Sequence, residues 1–316
     1  LAYQQHKGEG TRQRLIGREK AYHGMGFGGI SVGGLVKNRQ NFGQLLPGTD
    51  HIRHTLDIER NAFSRGLPAH GAELAEDLLR LVDLHAAENI AAVIVEPVAG
   101  AGGVILPPEG YLQRLRDICT ANGILLIFDE VITAFGRLGA ASAAERFGVI
   151  PDIITTAKGI TNATIPMGGV FVSDEIYNTF MSIDEPGVEL SHGYTYSGHP
   201  VACAAGMATL DIYEEEQLFS RAQTLSDHWM ESALSLQGEP NVIDVRTLPL
   251  IGAIELSPRE GAPMQRGVEV GQKCYEKGAW VRNIGDAIVL SPPLIISEEE
   301  ISQIFEIIRE SIRETK

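Results

Sequence analysis

Cysteine, basic residues and long apolar runs are all scarce in this chain of 316 residues. Its three cysteines, Cys119, Cys203 and Cys274, are widely spaced and form neither a disulfide framework nor a zinc-binding pattern, which suits a reducing compartment. Acidic residues outnumber Lys and Arg by 41 to 26, which gives a formal net charge of −15 and a pI near 5.0. A balance this acidic excludes nucleic-acid binding through clustered Lys and Arg.

The apolar runs are too short for a transmembrane helix. The run that begins at Ile90 is broken by Glu96 and Pro97, whereas a membrane span needs about 20 apolar residues. The sequence contains no secretory pattern, internal repeat or low-complexity segment. These absences predict a cytoplasmic protein without a membrane partner, and the length predicts one large domain or two smaller ones.

The most informative stretch is residues 124–169. Residues 124–128 are an unbroken apolar run of strand length, typical of a central parallel strand with helices on both faces, and Asp129 follows at its end. Residues 152–157 form a second strand-like run, which ends at Lys158. Ligands of open α/β sheets bind beyond the carboxyl ends of the strands. The sequence therefore predicts an acid and an amine at one edge of the sheet.

This pair of side chains fits pyridoxal phosphate (PLP) better than other cofactors. PLP needs a lysine for its Schiff base and an aspartate that keeps its ring nitrogen protonated, so that the ring draws electrons from the substrate. In this interpretation Lys158 is the nucleophile and later a proton carrier, and Asp129 holds the ring. The alternative is that Asp129 caps a helix and Lys158 lies on the surface. That alternative is reasonable for either residue alone but not for the two together.

Three motifs carry a family resemblance: FDEVITAFGRLG (128–139), TTAKGITNATIPMGG (155–169) and HGYTYSGHPVACAAG (192–206). Together they resemble the class III, or ω-amino acid, aminotransferases, a branch of PLP fold type I, over essentially the whole chain. The resemblance is strongest to the ω-amino acid–pyruvate (β-alanine–pyruvate) members. It implies an α/β fold, with a mainly parallel sheet flanked by helices and a smaller C-terminal α/β domain. The implied domains are 1–205, which binds PLP, and 206–316, a linking helix with the small domain.

The resemblance also implies which residues contact the cofactor. Lys158 and Asp129 are the catalytic pair, and Tyr22, His23 and Val131 line the cofactor with them. Tyr22 matches the aromatic residue that stacks on the pyridine face. Without the resemblance it would be interpreted as an ordinary core tyrosine.

Two further residues complete the implied site. Thr195 matches the threonine that reaches the cofactor phosphate of the other subunit, which implies a homodimer with shared sites, or a tetramer built from it. Arg282, within WVRNIGDAIVLSPPLI (280–295), matches the arginine that grips the substrate carboxylate, and its planar fork suits bidentate binding. The alternatives are a turn residue for Thr195 and a surface arginine at a strand end for Arg282.

Two positions depart from the ornithine- and GABA-type relatives, which carry Glu where this chain has Ala101 and commonly Gln where it has Ile132. A small residue at 101 leaves Arg282 free for a substrate carboxylate, which resembles the pyruvate-specific enzymes. Glu96, at the end of another predicted strand, is expected either to order the site or to act as a structural hydrogen-bond partner.

Other segments are less specific. Residues 24–29 satisfy GxGxxG but lack the strand, helix and acid of a dinucleotide site, so a mobile glycine-rich loop is predicted there and a loop over residues 37–70. Residues 200–236 are predicted to form one long helix. The Ser-Gly-rich turn that holds the cofactor phosphate in the family is absent before Leu1, so we expect the sequence to be a fragment.

The implied activity is PLP-dependent transfer of an amino group from an ω-amino acid or amine, such as β-alanine, to pyruvate, giving a semialdehyde and alanine. Several alternatives stay open. The donor could instead be taurine or an aromatic amine, or the enzyme could be an aminomutase. The polypeptide could also be a non-catalytic remnant that only dimerises, or an NAD-dependent enzyme on the strength of residues 24–29 alone.

Overall fold

The computed structural model describes residues 1–182 and 189–315. A six-stranded sheet is followed along the chain by a four-stranded sheet. The strands are β1 (Arg14–Arg18), β2 (Thr49–Ile52), β3 (Ile90–Val95), β4 (Leu125–Asp129), β5 (Ile153–Thr156), β6 (Gly169–Val172), β7 (Val242–Leu248), β8 (Ile251–Leu256), β9 (Arg282–Ile284) and β10 (Ala287–Leu290). The α-helices are α1 (Ala2–His6), α2 (Phe27–Val32), α3 (Val36–Asn41), α4 (Ile58–Asn61), α5 (Asp77–His85), α6 (Tyr111–Ala121), α7 (Ala143–Phe147), α8 (Asp174–Met181), α9 (Pro200–Glu215), α10 (Leu218–Thr224), α11 (Ser226–Leu234), α12 (Gln265–Glu276) and α13 (Glu298–Arg313).

The first sheet has the order β2-β1-β3-β4-β5-β6, and every neighbouring pair is parallel except β5-β6. Its central strands are apolar because helices cover them: Val93 and Phe128 are buried in one cluster with Leu78 of α5 and Leu115 of α6. The predicted mainly parallel sheet is therefore confirmed. Because β3, β4 and β5 run in the same direction, the residues that follow them meet at one edge.

The second sheet has the order β7-β8-β10-β9 and is antiparallel throughout. Trp229 of α11 is fully buried against it and meets Phe305 of α13 edge-on, with 5.1 Å between ring centroids. A separate apolar cluster that includes Val98, Leu138 and Ile251 joins the two sheets. The predicted boundary between residues 205 and 206 falls inside α9. Residues 183–188 and 316 of the predicted domains lie outside the described ranges.

The glycine-rich segment does not form the predicted loop, because Phe27–Val32 and Val36–Asn41 are helical. Close packing explains the glycines. A Cβ at Gly29 would lie 2.4 Å from the carbonyl oxygen of His23, and a Cβ at Gly17 would lie 1.8 Å from that of Val32. Contacts this close between backbones stabilise α2 despite the low helix propensity of glycine.

Two other predictions were wrong. Residues 37–70 contain α4 and the short edge strand β2 rather than only loop. The single helix predicted over residues 200–236 is divided into α9, α10 and α11. Gln217 takes a left-handed φ of 52°, which separates α9 from α10, and Leu225 lies between α10 and α11. Ser173 caps α8 with its hydroxyl, which accepts the backbone N–H of Ile176.

Within the described ranges, no helix is both long and apolar enough to cross a membrane.

Candidate active site

Asp129 is the last residue of β4 and is only 8% exposed. Its Oδ2 lies 2.8 Å from His23 Nδ1, and its Oδ1 accepts the backbone N–H of Val131 at 3.1 Å. The ring nitrogen on the other side of His23, Nε2, is buried and has no hydrogen-bond partner among the described residues. Three residues predicted at the site, His23, Asp129 and Val131, are thus in direct contact.

Glu130, the next residue, points away from this edge because successive residues of an extended chain face opposite sides. It is completely buried, and its carboxylate accepts the backbone N–H groups of Ala143 and Ala144 at 2.5 and 3.0 Å. Burial raises the pKa of the Glu130 carboxyl. Glu130 therefore anchors the start of α7, and only Asp129 is available to a ligand.

Lys158 follows β5 and opens a short 3-10 turn, Lys158–Thr161, with a left-handed φ of 47°. Such a conformation costs roughly 1–3 kcal/mol for a residue other than glycine and persists only where the surroundings impose it. Here the adjacent Gly159 accepts the hydroxyl of Tyr213 on its carbonyl at 2.7 Å, and a Cβ on it would lie 2.9 Å from Phe135 Cβ. Tight packing therefore determines the direction in which Lys158 leaves the sheet.

The amine of Lys158 is electrostatically coupled to the rest of the site. The residue is exposed overall, yet desolvation of its amine lowers the pKa of Lys158 below its usual range. The charges of Asp129 and Glu96 oppose this decrease in pKa, and the charge of Arg282 adds to it. Three residues that the sequence places at or near the site, Asp129, Glu96 and Arg282, therefore influence the pKa of the Lys158 amine.

Glu96 joins two loops beside the site. Its Oε1 accepts the backbone N–H of Tyr22, and its Oε2 accepts that of Gly100, each at 3.0 Å. Burial raises the pKa of the Glu96 carboxyl, and the charge of His23 opposes the shift. Glu96 is therefore a structural hydrogen-bond partner whose contacts hold Tyr22, with its ring 36% exposed, beside His23 and Asp129.

Arg282 and Thr195 lie outside the group formed by His23, Asp129 and Val131. Arg282 opens β9, not the end of a strand as predicted, and its exposed side chain reaches a cavity of about 610 Å³ between β9, β10 and α13. Neither Asp129 nor Lys158 lines that cavity. Thr195 is exposed in the segment before α9, and no hydrogen bond within the described ranges joins it to Asp129 or Lys158. Its role at a partner subunit's cofactor stays a prediction.

These residues fit PLP. Asp129 can accept from the protonated ring nitrogen, because His23 and Val131 supply only part of the hydrogen bonds that a carboxylate can accept. Lys158 offers an accessible amine of lowered pKa, and the ring of Tyr22 is open for stacking. Asp129, Lys158, Tyr22 and the buried His23 would therefore hold the cofactor.

Sequence reasoning did not find two residues that shape this site. Phe135 and Tyr213 stack with 6.3 Å between ring centroids and hold the backbone next to Lys158. Neither position carried a periodic or charge signal, because the contact joins the segment after β4 to a distant helix. Only the tertiary structure brings them together.

Comparison with known proteins agrees with this geometry. Residues 1–312 match the model of the family described as aminotransferase class-III. The chain is 56% identical over 309 residues to an omega-aminotransferase of Caulobacter vibrioides and 50% identical over 314 residues to a beta-alanine–pyruvate aminotransferase of Pseudomonas aeruginosa. Each alignment covers 98% of this chain and 70% of the relative.

Solved structures show the same fold. An amine transaminase from an uncultivated Pseudomonas species, in its PLP-bound form, superposes with a TM-score of 0.91 at 35% identity, covering 99% of this chain and 72% of that one. The predicted PLP fold type I is confirmed, and the enzymes of this family depend on PLP. This protein belongs to the class III aminotransferases.

Proposed function

We propose that this protein transfers the amino group of an ω-amino acid or amine, such as β-alanine, to pyruvate, giving a semialdehyde and alanine. The observation that carries the proposal is a pair of residues at one edge of the first sheet: Asp129, held by His23 and the Val131 N–H at the end of β4, and Lys158, which follows the neighbouring parallel strand β5. Relatives named for β-alanine–pyruvate and omega-amino acid–pyruvate transfer support the choice of donor and acceptor.

Different residues of the chain have different proposed roles in the reaction. PLP, held by Lys158 at its aldehyde and by Asp129 at its ring nitrogen, supplies an electron sink beside the amine-bearing carbon. Lys158 is suited to act as nucleophile and then as base at that carbon, because its lowered pKa leaves more of its Nζ neutral. His23 and the Val131 N–H orient Asp129, and Tyr22 stacks on the ring face.

Arg282 is the proposed contact for the carboxylate of pyruvate. Its guanidinium is exposed at the start of β9 and forms no ion pair within the described ranges, so it is available to an anion. Ala101 cannot offer the carboxylate that a Glu would offer at that position. A planar guanidinium binds a carboxylate through two parallel hydrogen bonds, which favours acceptors of the pyruvate type.

A cytoplasmic homodimer with shared sites belongs to the same proposal. The edge strand β6 and helix α9 expose apolar side chains, among them Val170, Phe171, Val201 and Met207. A helix that is apolar on most of its faces is usually buried, and an exposed apolar surface of this kind marks an interface. A second copy of this chain would cover it and bring its Thr195 to the cofactor.

The test is the visible absorption of the purified protein with PLP, before and after β-alanine and then pyruvate. We expect a yellow colour that bleaches with β-alanine and returns with pyruvate. The variant Lys158→Ala should show neither colour change nor turnover, because both the bond to PLP and the base are lost. Turnover by that variant would refute the assignment of Lys158. Bleaching by taurine or an aromatic amine, but not by β-alanine, would show that the amino donor is that compound and not β-alanine.

A further inference from the structure

Arg137 is a cation held by carbonyl oxygens rather than by an anion. Its Nη1 donates to the carbonyl of Leu250 at 2.8 Å and to that of Pro292 at 2.5 Å. Desolvation lowers the pKa of Arg137 to about 10. Among the described residues, no carboxylate forms an ion pair with it. Removing a guanidinium from water without an anionic partner is unfavourable for folding, so stability alone is a poor explanation for this residue.

The two carbonyls lie at the same end of the second sheet as Arg282. Pro292 follows β10 and comes three residues after Val289, which pairs with Arg282 across the β10–β9 ladder. Leu250 precedes β8, the other neighbour of β10. Arg137 therefore contacts the end of the second sheet at which Arg282 is located.

On its other side, Arg137 belongs to the segment that follows Asp129. The turn is closed by hydrogen bonds from Phe135 N–H to Ala141 O at 2.8 Å and from Gly136 N–H to Ala140 O at 3.0 Å. The side chain of Phe135 packs directly on Gly159, the residue after Lys158. The backbone carrying Arg137 is thus fixed relative to Lys158.

The turn that carries Arg137 is tightly packed against neighbouring segments. Gly136 has a φ of 87°, and a Cβ there would lie 2.5 Å from Phe219 Cδ1 and 2.9 Å from Leu294 Cδ1. The turn from the first sheet is therefore in close contact with α10 and with the segment after β10 at Gly136, the residue before Arg137.

We propose that Arg137 is a positioning residue, which sets the separation between Arg282 and Lys158 through its contacts with the carbonyls of Leu250 and Pro292. That separation determines whether Arg282 can bind the acceptor's carboxylate while the acceptor's carbonyl carbon lies at the cofactor. This inference rests on the proposed contact between Arg282 and the acceptor carboxylate. Arg137 itself does not touch the substrate.

The test compares acceptors with and without a carboxylate. The protein loaded with the amine form of its cofactor is mixed with pyruvate or with propanal, and kcat/KM is measured for each. Four forms are compared: the native protein, Arg137→Gln, Arg282→Gln and Arg12→Gln. Arg12 is the matched control, because it is also partly buried and donates to three carbonyls, those of Ala87, Ile90 and Asn122, away from the second sheet.

We expect Arg137→Gln to lower the ratio of kcat/KM for pyruvate to that for propanal at least about tenfold, since small misplacements of a bound substrate can cost up to 10²-fold. Most of the loss should be in KM for pyruvate. Arg282→Gln should lower the ratio at least as much, and Arg12→Gln should leave it unchanged. If Arg137→Gln does not fold, Arg137→Lys, whose ammonium falls short of the two carbonyls, should lower the ratio in the same direction.

The positioning role would be overturned if Arg137→Gln lost kcat/KM equally for pyruvate and propanal while Arg282→Gln lost it mainly for pyruvate. The proposed function would not be affected by that result. An unchanged ratio in Arg282→Gln would instead remove the carboxylate contact of Arg282, and the role of Arg137 with it.

Discussion

At the scale of single residues, the coupling of Lys158 to its neighbours predicts its titration. Desolvation lowers the pKa of Lys158, and the charge of Arg282 lowers it further. A lysine is nucleophilic only when neutral, so a lower pKa makes it reactive at lower pH. We expect the rate at which the apoprotein bonds PLP to rise with pH, with a midpoint below the usual lysine pKa of about 10.4.

The variant Arg282→Gln separates the two causes of that shift. Removing a neighbouring positive charge raises the pKa of Lys158, so the midpoint should move to higher pH, while Arg313→Gln, on a distant helix, should leave it in place. A midpoint in the ordinary lysine range for the native protein, or no upward movement in Arg282→Gln, contradicts the placement of the two side chains in one site.

At the scale of elements, the adjacent glycines of α2 should respond in opposite ways to alanine. A Cβ at Gly29 meets the backbone oxygens of His23 and Gly24 at 2.4 and 2.9 Å, whereas a Cβ at Gly28 meets nothing within 4 Å. Gly28→Ala should stabilise the protein by up to ~1 kcal/mol through helix propensity. Gly29→Ala should destabilise it by roughly 1–3 kcal/mol, the usual cost of overpacking.

Thermal unfolding and PLP affinity together check this pair of variants. Because the clash moves the turn that carries His23, Gly29→Ala should also weaken PLP binding, and Gly28→Ala should not. Equal effects of the two substitutions would show that α2 does not pack on the His23 turn.

The same helix shows how far sequence reasoning reaches. The central strands were predictable because both of their faces are apolar, and consecutive parallel strands necessarily bring Asp129 and Lys158 to one edge. Helix α2 was not predictable, because close backbone contacts stabilise it rather than its own periodicity: Gly29 packs on the preceding turn and Val32 packs on Gly17 of β1. The chemistry of PLP selected Asp129 from the sequence, but the role of its neighbour Glu130 as the anchor of α7 follows only from the alternation of the backbone and the folded contacts.

At the scale of the whole molecule, a second arginine crosses the junction between the sheets. Arg246 of β7 donates to the carbonyls of Gly103 and Val104 at 2.8 and 3.2 Å and forms ion pairs with Asp244 and Glu255. Arg246→Met should cost roughly 3–5 kcal/mol of the free energy of unfolding, because it leaves carboxylates uncompensated at a largely buried site.

Chemical denaturation of Arg246→Met and Arg114→Met measures that difference. Arg114 pairs with Glu76 at the surface, with both side chains 44% exposed. Its substitution should cost about 0–1 kcal/mol, as is usual for exposed pairs. Similar losses for the two variants would argue against the Arg246 contacts as a main connection between the sheets.

The proposed homodimer with shared sites predicts that two inactive variants can restore activity together, which a site built from a single chain could not do. If Thr195 binds the cofactor phosphate of the other subunit, each active site takes its Lys158 from one chain and its Thr195 from the other. Lys158→Ala and Thr195→Asp then remove residues that different chains contribute to the same site. A mixed dimer then keeps one site with an intact Lys158 from one chain and an intact Thr195 from the other. Unfolding and refolding the two inactive variants together in equal amounts should restore about a quarter of the native activity, because half of the dimers are mixed and each has one working site.

Refolding each variant alone is the control and should restore nothing. Size measurement by light scattering establishes that dimers have formed in every sample. If the refolded mixture dimerises but stays inactive, Thr195 acts within its own chain. Activity of refolded Thr195→Asp alone would instead show that Thr195 is not required. Recovery of activity would instead place Thr195 across the interface, at a cofactor bound by the second subunit.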